Sequence, residues 1–162
     1  MRVVQLSSFG GPEVLEIVET VTPALKPAEV LIRVRAAGVN FFEVLTRQDR
    51  YATRPDLPML MGVEVAGIVE KVGEDVHSTV VGQRAAVPLF AMGKTGGYAD
   101  YVIAGERHLL ALPDALSFED AVALQVQGLT ALHMIRKSPP KGKTVLITAG
   151  AGGVGSLLVQ LA

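Results

Sequence analysis

A glycine-rich turn near the C-terminal end of the sequence constrains the fold more than any other feature. Gly150, Gly152 and Gly155 fit the pattern G-x-G-x-x-G within the stretch VLITAGAGGVGSLLVQLA. The continuous apolar run before the turn predicts a fully buried strand over 144–149, and SLLVQLA after it predicts a helix. A strand, a glycine turn and a helix in this order favour a unit that binds a dinucleotide.

The glycines have separate physical roles in such a turn. One permits the tight strand-to-helix connection, the next lets the backbone approach a pyrophosphate, and the last lets helix and strand pack closely. The helix N-terminus then offers unpaired N–H groups and the positive end of its dipole to the phosphates. Taken alone, a glycine-rich turn also occurs for purely structural reasons. The residues predicted to bind the cofactor are Gly150, Gly152, Gly153, Val154 and Gly155.

A nucleoside triphosphate loop does not fit the same stretch. That loop needs a lysine after its last glycine, and Ser156 occupies the position here. The residue that would distinguish NAD from NADP is expected about 20 residues further on, beyond the sequence. The spacing therefore leaves the choice of cofactor open.

Composition excludes several other classes of function. The net charge is −1, with 15 basic and 16 acidic residues, so neither nucleic acid nor a membrane is expected as a partner. The N-terminal apolar stretch is too short for a signal peptide, and we expect a cytoplasmic protein. Cysteine is absent, and His77, His108 and His133 lie far apart in sequence, so no metal site is predicted.

The first 115 or so residues consist of short β-like runs separated by glycine and proline. The stretch EVLIRVRAAG alternates Ile32 and Val34 with Arg33 and Arg35, which predicts a strand with one buried and one solvated face. Further runs of this kind are GVEVAGIVEKVG, QRAAVPL and GGYADYVIA. The pattern indicates a barrel or a sandwich.

Helical patterns follow this β-rich part. Ser117 with Asp120 resembles a capping box, so a helix is expected to begin there, and Gly128 is expected to interrupt or end it. A second helix is expected to stop before Pro139 and Pro140.

Seven stretches, in order and over nearly the whole chain, resemble the zinc-free quinone oxidoreductases, the zeta-crystallin-like branch of the medium-chain dehydrogenase/reductase superfamily. The resemblance implies a mixed α+β fold, with a GroES-like β-barrel catalytic domain at residues 1–125. A linker helix and the first strand and helix of a Rossmann α/β domain would follow at 126–162. The matching stretches are FGGPEVLEI, AAGVNFFEVLTRQDRY, GVEVAGIVEKVGEDV, GGYADYVIA, LPDALSFEDAVAL, QGLTALHMI and ITAGAGGVGSLLVQLA.

The same resemblance implies an activity. Such enzymes pass hydride from NADPH to quinones or activated enones, and the intact enzyme is expected to be a homodimer. In zinc-dependent relatives a cysteine and a histidine ligate catalytic zinc at the positions of Asn40 and Val63, so no zinc is expected here. The acceptor must then be electrophilic without a metal Lewis acid, which suits quinones.

Four residues receive roles from the resemblance. Asn40 is expected at the edge of the nicotinamide and substrate cleft, where it would act in catalysis and contact the cofactor. Tyr51 is expected to line the same cleft as a second catalytic residue, and Thr130 is expected to place a hydroxyl near the nicotinamide. Glu64 matches a family acidic residue that we interpret as structural.

The chain departs from the family pattern in one loop and in its length. Asp49 stands where the family commonly has glycine. The chain resembles only the N-terminal half of the enzyme, so we expect the isolated 162 residues to bind dinucleotide weakly and to be inactive. Two alternatives stay open: an enoyl reductase of the same superfamily, or a non-catalytic GroES-like module that pairs its strand at 144–149 with another chain.

Overall fold

The computed structural model describes all 162 residues and contains eight strands and four helices. It divides into two compact units, Met1–Val122 and Ala123–Ala162. The strands are β1 (Arg2–Leu6), β2 (Leu15–Glu19), β3 (Glu29–Ala37), β4 (Met59–Leu60), β5 (Val65–Val72), β6 (Arg84–Val87), β7 (Tyr101–Gly105) and β8 (Leu110–Ala111). The helices are α1 (Phe41–Arg47), α2 (Phe118–Ala123), α3 (Val126–Lys137) and α4 (Gly153–Leu161).

Two antiparallel sheets form the first unit. One has the strand order β2-β1-β4, and the other has the order β7-β3-β5-β6-β8. The residues just before β7 connect the two sheets. Ala99 forms a β-bridge with Val3 of β1, and the carbonyl of Asp100 accepts the N–H of Val34 in β3. The predicted GroES-like β fold is confirmed, and the runs expected to be strands form β3, β5, β6 and β7.

The main core of this unit lies on one face of the five-stranded sheet, and a smaller cluster of Ala66, Ala86, Ala121 and Val122 lies on the other face, against α2. Ile32 is fully buried and Arg33 pairs with Glu70 at 3.3 Å, as the alternating pattern of β3 predicts. Leu31 is also buried, although its neighbours Val30 and Ile32 both belong to the main core cluster, so the opposite side of β3 is covered there too. The core residues are Val30, Ile32, Val65, Val69, Ala85, Val87, Leu89, Val102 and Ala104.

The start of α2 is capped as the sequence predicts. The Ser117 hydroxyl accepts the Asp120 N–H at 3.0 Å and donates to the Asp120 carboxylate at 2.6 Å. The prediction for Gly128 is wrong. The helical run breaks earlier, after Ala123, and Gly128 lies inside α3, where a side chain would meet only ordinary contacts with Leu124.

The second unit pairs α3 with α4. As predicted, α3 ends at Lys137, before the two prolines, and α4 follows the glycine turn. The predicted buried strand at 144–149 does not form: residues 144–147 have no regular secondary structure, residues 148–150 form a turn, and Leu146 is 89% exposed. A parallel strand needs a neighbour for its N–H and C=O groups, and no other strand lies in this unit.

None of the four helices combines the length and the hydrophobicity that crossing a membrane requires.

Candidate functional site

Asn40 occupies the N-cap position of α1 and is buried. Its backbone is extended, and its N–H donates to the carboxylate of Glu43 at 3.0 Å. Glu43 stands three residues into the helix, the position from which an acidic side chain reaches back to a helix N-terminus. The chain therefore fixes Asn40 locally, through a helix that the sequence analysis did not predict.

The side-chain amide of Asn40 lies between two buried carboxylates. Its Nδ2 donates to Glu64 Oε1 at 2.8 Å and to Glu43 Oε2 at 3.2 Å. Glu64 is 1% exposed and Glu43 is 4% exposed. Since Nδ2 is the only donor group of this side chain, these bonds set the direction in which the amide points.

Two further donors complete the surroundings of Glu43. The Tyr98 hydroxyl donates to Oε2 at 3.0 Å, and the Gly62 N–H donates to Oε1 at 3.1 Å. Burial, together with the negative charge of Glu43 and the hydrogen bond to it, raises the pKa of Tyr98 well above its usual range. We call Asn40, Glu43, Glu64 and Tyr98 the Asn40 cluster.

Two glycines make room for this cluster. A Cβ at Gly38 would overlap the Glu64 carboxyl group, whose Cδ would lie 2.7 Å away. Gly62 has a φ of +97°, and a Cβ there would lie 2.7 Å from the carbonyl carbon of Gly97. Neither position accepts a larger residue without displacing its neighbours.

A cleft of about 300 Å³ opens beside the cluster, within the first unit. Tyr51 lies in its wall, and its ring packs against Phe42 with centroids 5.4 Å apart. Glu43 and Val63 also line the cleft, whereas Asn40 does not. The lining residues are Phe42, Glu43, Thr46, Tyr51, Thr53, Arg54, Pro55, Met59, Met61, Gly62, Val63 and Thr95.

An ion pair lies at the solvent-exposed rim of the cleft. Arg54 Nη2 contacts Asp49 Oδ2 at 2.9 Å, and the Arg54 guanidinium carbon lies 4.9 Å from the ring centroid of Phe9. Asp49 has a φ of +56°, in the left-handed region. Aspartate tolerates that region better than most residues, which explains how the loop accommodates an aspartate where the resemblance leads one to expect glycine.

The glycine turn lies in the second unit and has the tight geometry that the pattern predicts. A Cβ at Gly155 would collide with the Ala149 carbonyl, and it would lie 2.9 Å from the Gly150 Cα. Gly152 is the N-cap of α4, and the Ser156 N–H donates to its carbonyl at 2.8 Å. The N–H groups of the first turn, which include those of Gly153 and Val154, have no acceptor within the helix. Such groups can bind a phosphate.

Thr130 lies exposed on α3, in the same unit. Its hydroxyl donates to the carbonyl of Val126 at 2.6 Å, one turn earlier in the helix. This bond holds the side chain against its own helix.

Sequence reasoning missed Glu43 and Tyr98. The spacing of Asn40 and Glu43 is that of a helix-capping pair and could have identified both α1 and the role of Glu43. No local signal identifies Tyr98, because 55 residues separate it from Glu43.

Comparison with known proteins identifies the class. Residues 26–114 match the family model of the alcohol dehydrogenase GroES-like domain. The quinone oxidoreductase of Pseudomonas aeruginosa is 39% identical over 161 residues, which are 98% of this chain and 48% of that protein. The human quinone oxidoreductase is 35% identical, over 100% of this chain and 49% of that protein.

Solved structures agree with the sequence match. The quinone oxidoreductase from Coxiella burnetii has a TM-score of 0.91 at 35% identity, covering 99% of this chain and 52% of that one. The quinone oxidoreductase from Thermus thermophilus, solved also as a complex with NADPH, has a TM-score of 0.82 at 36% identity and covers 99% and 49%.

The fold is thus that of the N-terminal half of a medium-chain dehydrogenase/reductase. The chain belongs to the alcohol dehydrogenase GroES-like domain family and corresponds to the N-terminal half of its quinone oxidoreductase members. It spans about half the length of these relatives.

Proposed function

We propose that this chain supplies the substrate cleft and the first cofactor-binding turn of a zinc-independent, NADPH-dependent oxidoreductase that acts on quinones or activated enones. The observation that carries the proposal is the glycine turn, whose close packing at Gly155 and open N–H groups at the start of α4 fit a pyrophosphate. The similarity of the whole chain to the quinone oxidoreductase of Thermus thermophilus, solved as a complex with NADPH, supports the choice of NADPH over NAD.

The residues at positions 40 and 63 support zinc independence. Zinc in proteins is bound by thiolate, imidazole or carboxylate groups. Asn40 offers an amide whose nitrogen already donates to two carboxylates, and Val63 offers an aliphatic side chain. Neither position supplies a zinc ligand.

The roles assigned to single residues are part of the proposal. NADPH supplies the hydride when bound. The Asn40 cluster would hold one edge of the reacting site rigid, and Tyr51 in the cleft wall would hydrogen-bond an acceptor carbonyl. The glycine turn would bind the pyrophosphate, and Thr130 would contact the nicotinamide after its hydroxyl leaves the Val126 carbonyl. A cytoplasmic homodimer stays a prediction of the resemblance.

The test joins residues 1–162 to the C-terminal half of the Pseudomonas aeruginosa relative and measures NADPH oxidation with two acceptors. A quinone should be reduced faster than a 2-enoyl thioester. Faster reduction of the thioester would instead favour an enoyl reductase.

The isolated 162 residues should bind NADPH only weakly, since they lack ribose and adenine contacts. Micromolar binding by that chain would contradict this part of the proposal.

One observation favours a second candidate, a non-catalytic interaction module. The apolar segment at 144–149 pairs with no strand and leaves Val145 47% and Leu146 89% exposed, so a strand of another chain could pair with it. Size-exclusion chromatography with light scattering tests this candidate. A stable complex of the 162-residue chain, combined with an inactive chimera, would favour the module over the enzyme.

A further inference from the structure

Among the residues that line the cleft, Arg54 is the one cation. The carboxylate in the same lining, Glu43, is buried, and its two oxygens accept four hydrogen bonds from Asn40, Tyr98 and Gly62. The side chain of Arg54 is 69% exposed and therefore lies at the rim. The cleft thus has a buried carboxylate whose oxygens are occupied by hydrogen bonds on its inner side and a cation where ligands enter.

Two neighbours orient Arg54 without saturating it. Asp49 contacts one terminal nitrogen, and the guanidinium lies over the ring of Phe9. A guanidinium carries five N–H donors, so further donors stay available to a ligand. An exposed ion pair of this kind contributes little net stability, so a bound anion can share or replace Asp49.

We propose that Arg54 selects acceptors that carry an anionic group, such as a carboxylate or sulfonate, at a distance from their reacting carbon. This inference rests on the proposed function, because it treats the cleft as the acceptor site. The apolar and aromatic wall, with Tyr51 and Met61, would hold the ring of the acceptor. The guanidinium would bind its anionic substituent at the rim through charge-assisted hydrogen bonds.

The cleft lies wholly within residues 1–122, so binding can be measured on the 162-residue chain itself. Isothermal titration calorimetry compares a naphthoquinone sulfonate with the unsubstituted naphthoquinone. The chain has no cysteine, so addition of the quinone to a thiol does not interfere. We expect the sulfonate to bind about tenfold more tightly at low salt, and this preference should shrink as ionic strength rises.

The Arg54→Met variant should lose the preference while keeping its affinity for the neutral quinone. Arg50→Met is the matched control, because Arg50 is an exposed arginine of the same loop that does not line the cleft. It should keep the preference. Circular dichroism checks the folding of both variants, and the salt dependence of the unsubstituted chain is a readout that needs no variant.

Three results would overturn the inference. Equal binding of both quinones, or a preference that survives in Arg54→Met, contradicts the role of Arg54 and leaves the proposed function intact. Binding of neither quinone to the 162-residue chain contradicts the acceptor site within this chain, and the quinone activity of the chimera then tests the proposed function on its own.

Discussion

The side-chain amide of Asn40 donates to Glu64 at 2.8 Å and to Glu43 at 3.2 Å, so one neutral group separates two buried carboxylates. An amide is suited to this position because it offers two N–H donors and carries no charge. The two acids in turn fix the side chain at the start of α1. This arrangement links a helix cap to β5, through the residue immediately before that strand, and makes Asn40 a structural as well as a candidate functional residue.

Replacing Asn40 with aspartate should destabilise the protein strongly. The variant keeps the shape of the side chain but places a third carboxylate between Glu43 and Glu64, without the donor that both acids use. We expect a loss of about 3 kcal/mol in the free energy of unfolding, measured with urea. Gln48→Glu makes the same chemical change at the half-buried end of α1, beside Arg50, and should cost less than about 0.5 kcal/mol. Equal effects would contradict the description of the cluster.

Tyr98→Phe tests the hydroxyl that completes the shell of Glu43. The variant leaves a buried carboxylate with one donor fewer and should cost about 1–3 kcal/mol at neutral pH. The pKa of Tyr98 is raised in the folded protein. The stabilisation that its hydroxyl contributes is therefore complete below the unfolded pKa of about 10 and is lost as pH rises further. The difference between the two proteins should therefore shrink in alkali. Tyr101→Phe on β7 is the control, with a cost below about 1 kcal/mol.

Gly155→Ala tests the close packing of the glycine turn. The added Cβ would meet the Ala149 carbonyl and the Gly150 Cα, so we expect a loss of about 1–3 kcal/mol. Gly150→Ala is the matched control, since its Cβ would find no heavy atom nearer than 3.7 Å. Hydrogen exchange of the α4 amides measures the effect within the second unit. Similar loss of protection in both variants would show that packing at Gly155 does not hold the helix.

Glu106 anchors the loop between β5 and β6 and should make stability depend on pH. Its carboxylate accepts hydrogen bonds from the hydroxyl and N–H of Ser78 and from the N–H groups of Thr79 and His77. The bonds from Ser78, followed by the other N–H groups, lower the pKa of Glu106 from 4.5 to about 2. Because the pKa of Glu106 is lower in the folded protein, its carboxylate contributes its full stabilisation above the unfolded pKa of 4.5. This contribution is lost as pH falls through about 2.

The Glu106→Gln variant should accordingly melt below the unsubstituted protein at neutral pH, and this gap in Tm should close between about pH 4.5 and about pH 2. Glu74→Gln, an exposed carboxylate in the same loop, should have the smaller effect at neutral pH. A gap that stays constant down to pH 2 would contradict the anchoring role of Glu106.

Local sequence signals predicted much of the fold. Alternation identified β3, the Ser117–Asp120 cap located α2, and the glycine pattern located α4. These features depend on residues close together in sequence. Residues 144–149 show the limit of such reasoning, because β-branched apolar residues favour a strand, but a strand forms only where it pairs with another segment.

The candidate site was predictable in part. The resemblance proposes Asn40 and Tyr51 as site residues, and the structure places Tyr51 in a cleft wall next to Phe42 and Asn40 outside that wall. The contact between Tyr98 and Glu43 depends on the path of the chain between β6 and β7, which no spacing rule describes. The requirement for glycine at position 62, where φ is positive, becomes apparent only in the structure, in which Tyr98 lies beside it.

Quinone-dependent oxidation of NADPH, measured after metal removal, tests the central claim most directly. Residues 1–162 are joined to the C-terminal half of the Pseudomonas aeruginosa relative, and the folded chimera is dialysed against a chelator until its zinc is substoichiometric. The account predicts that the chimera oxidises NADPH when a quinone is added and that zinc does not increase the rate. A folded chimera that leaves NADPH unoxidised, or one whose activity returns only with zinc, would contradict it.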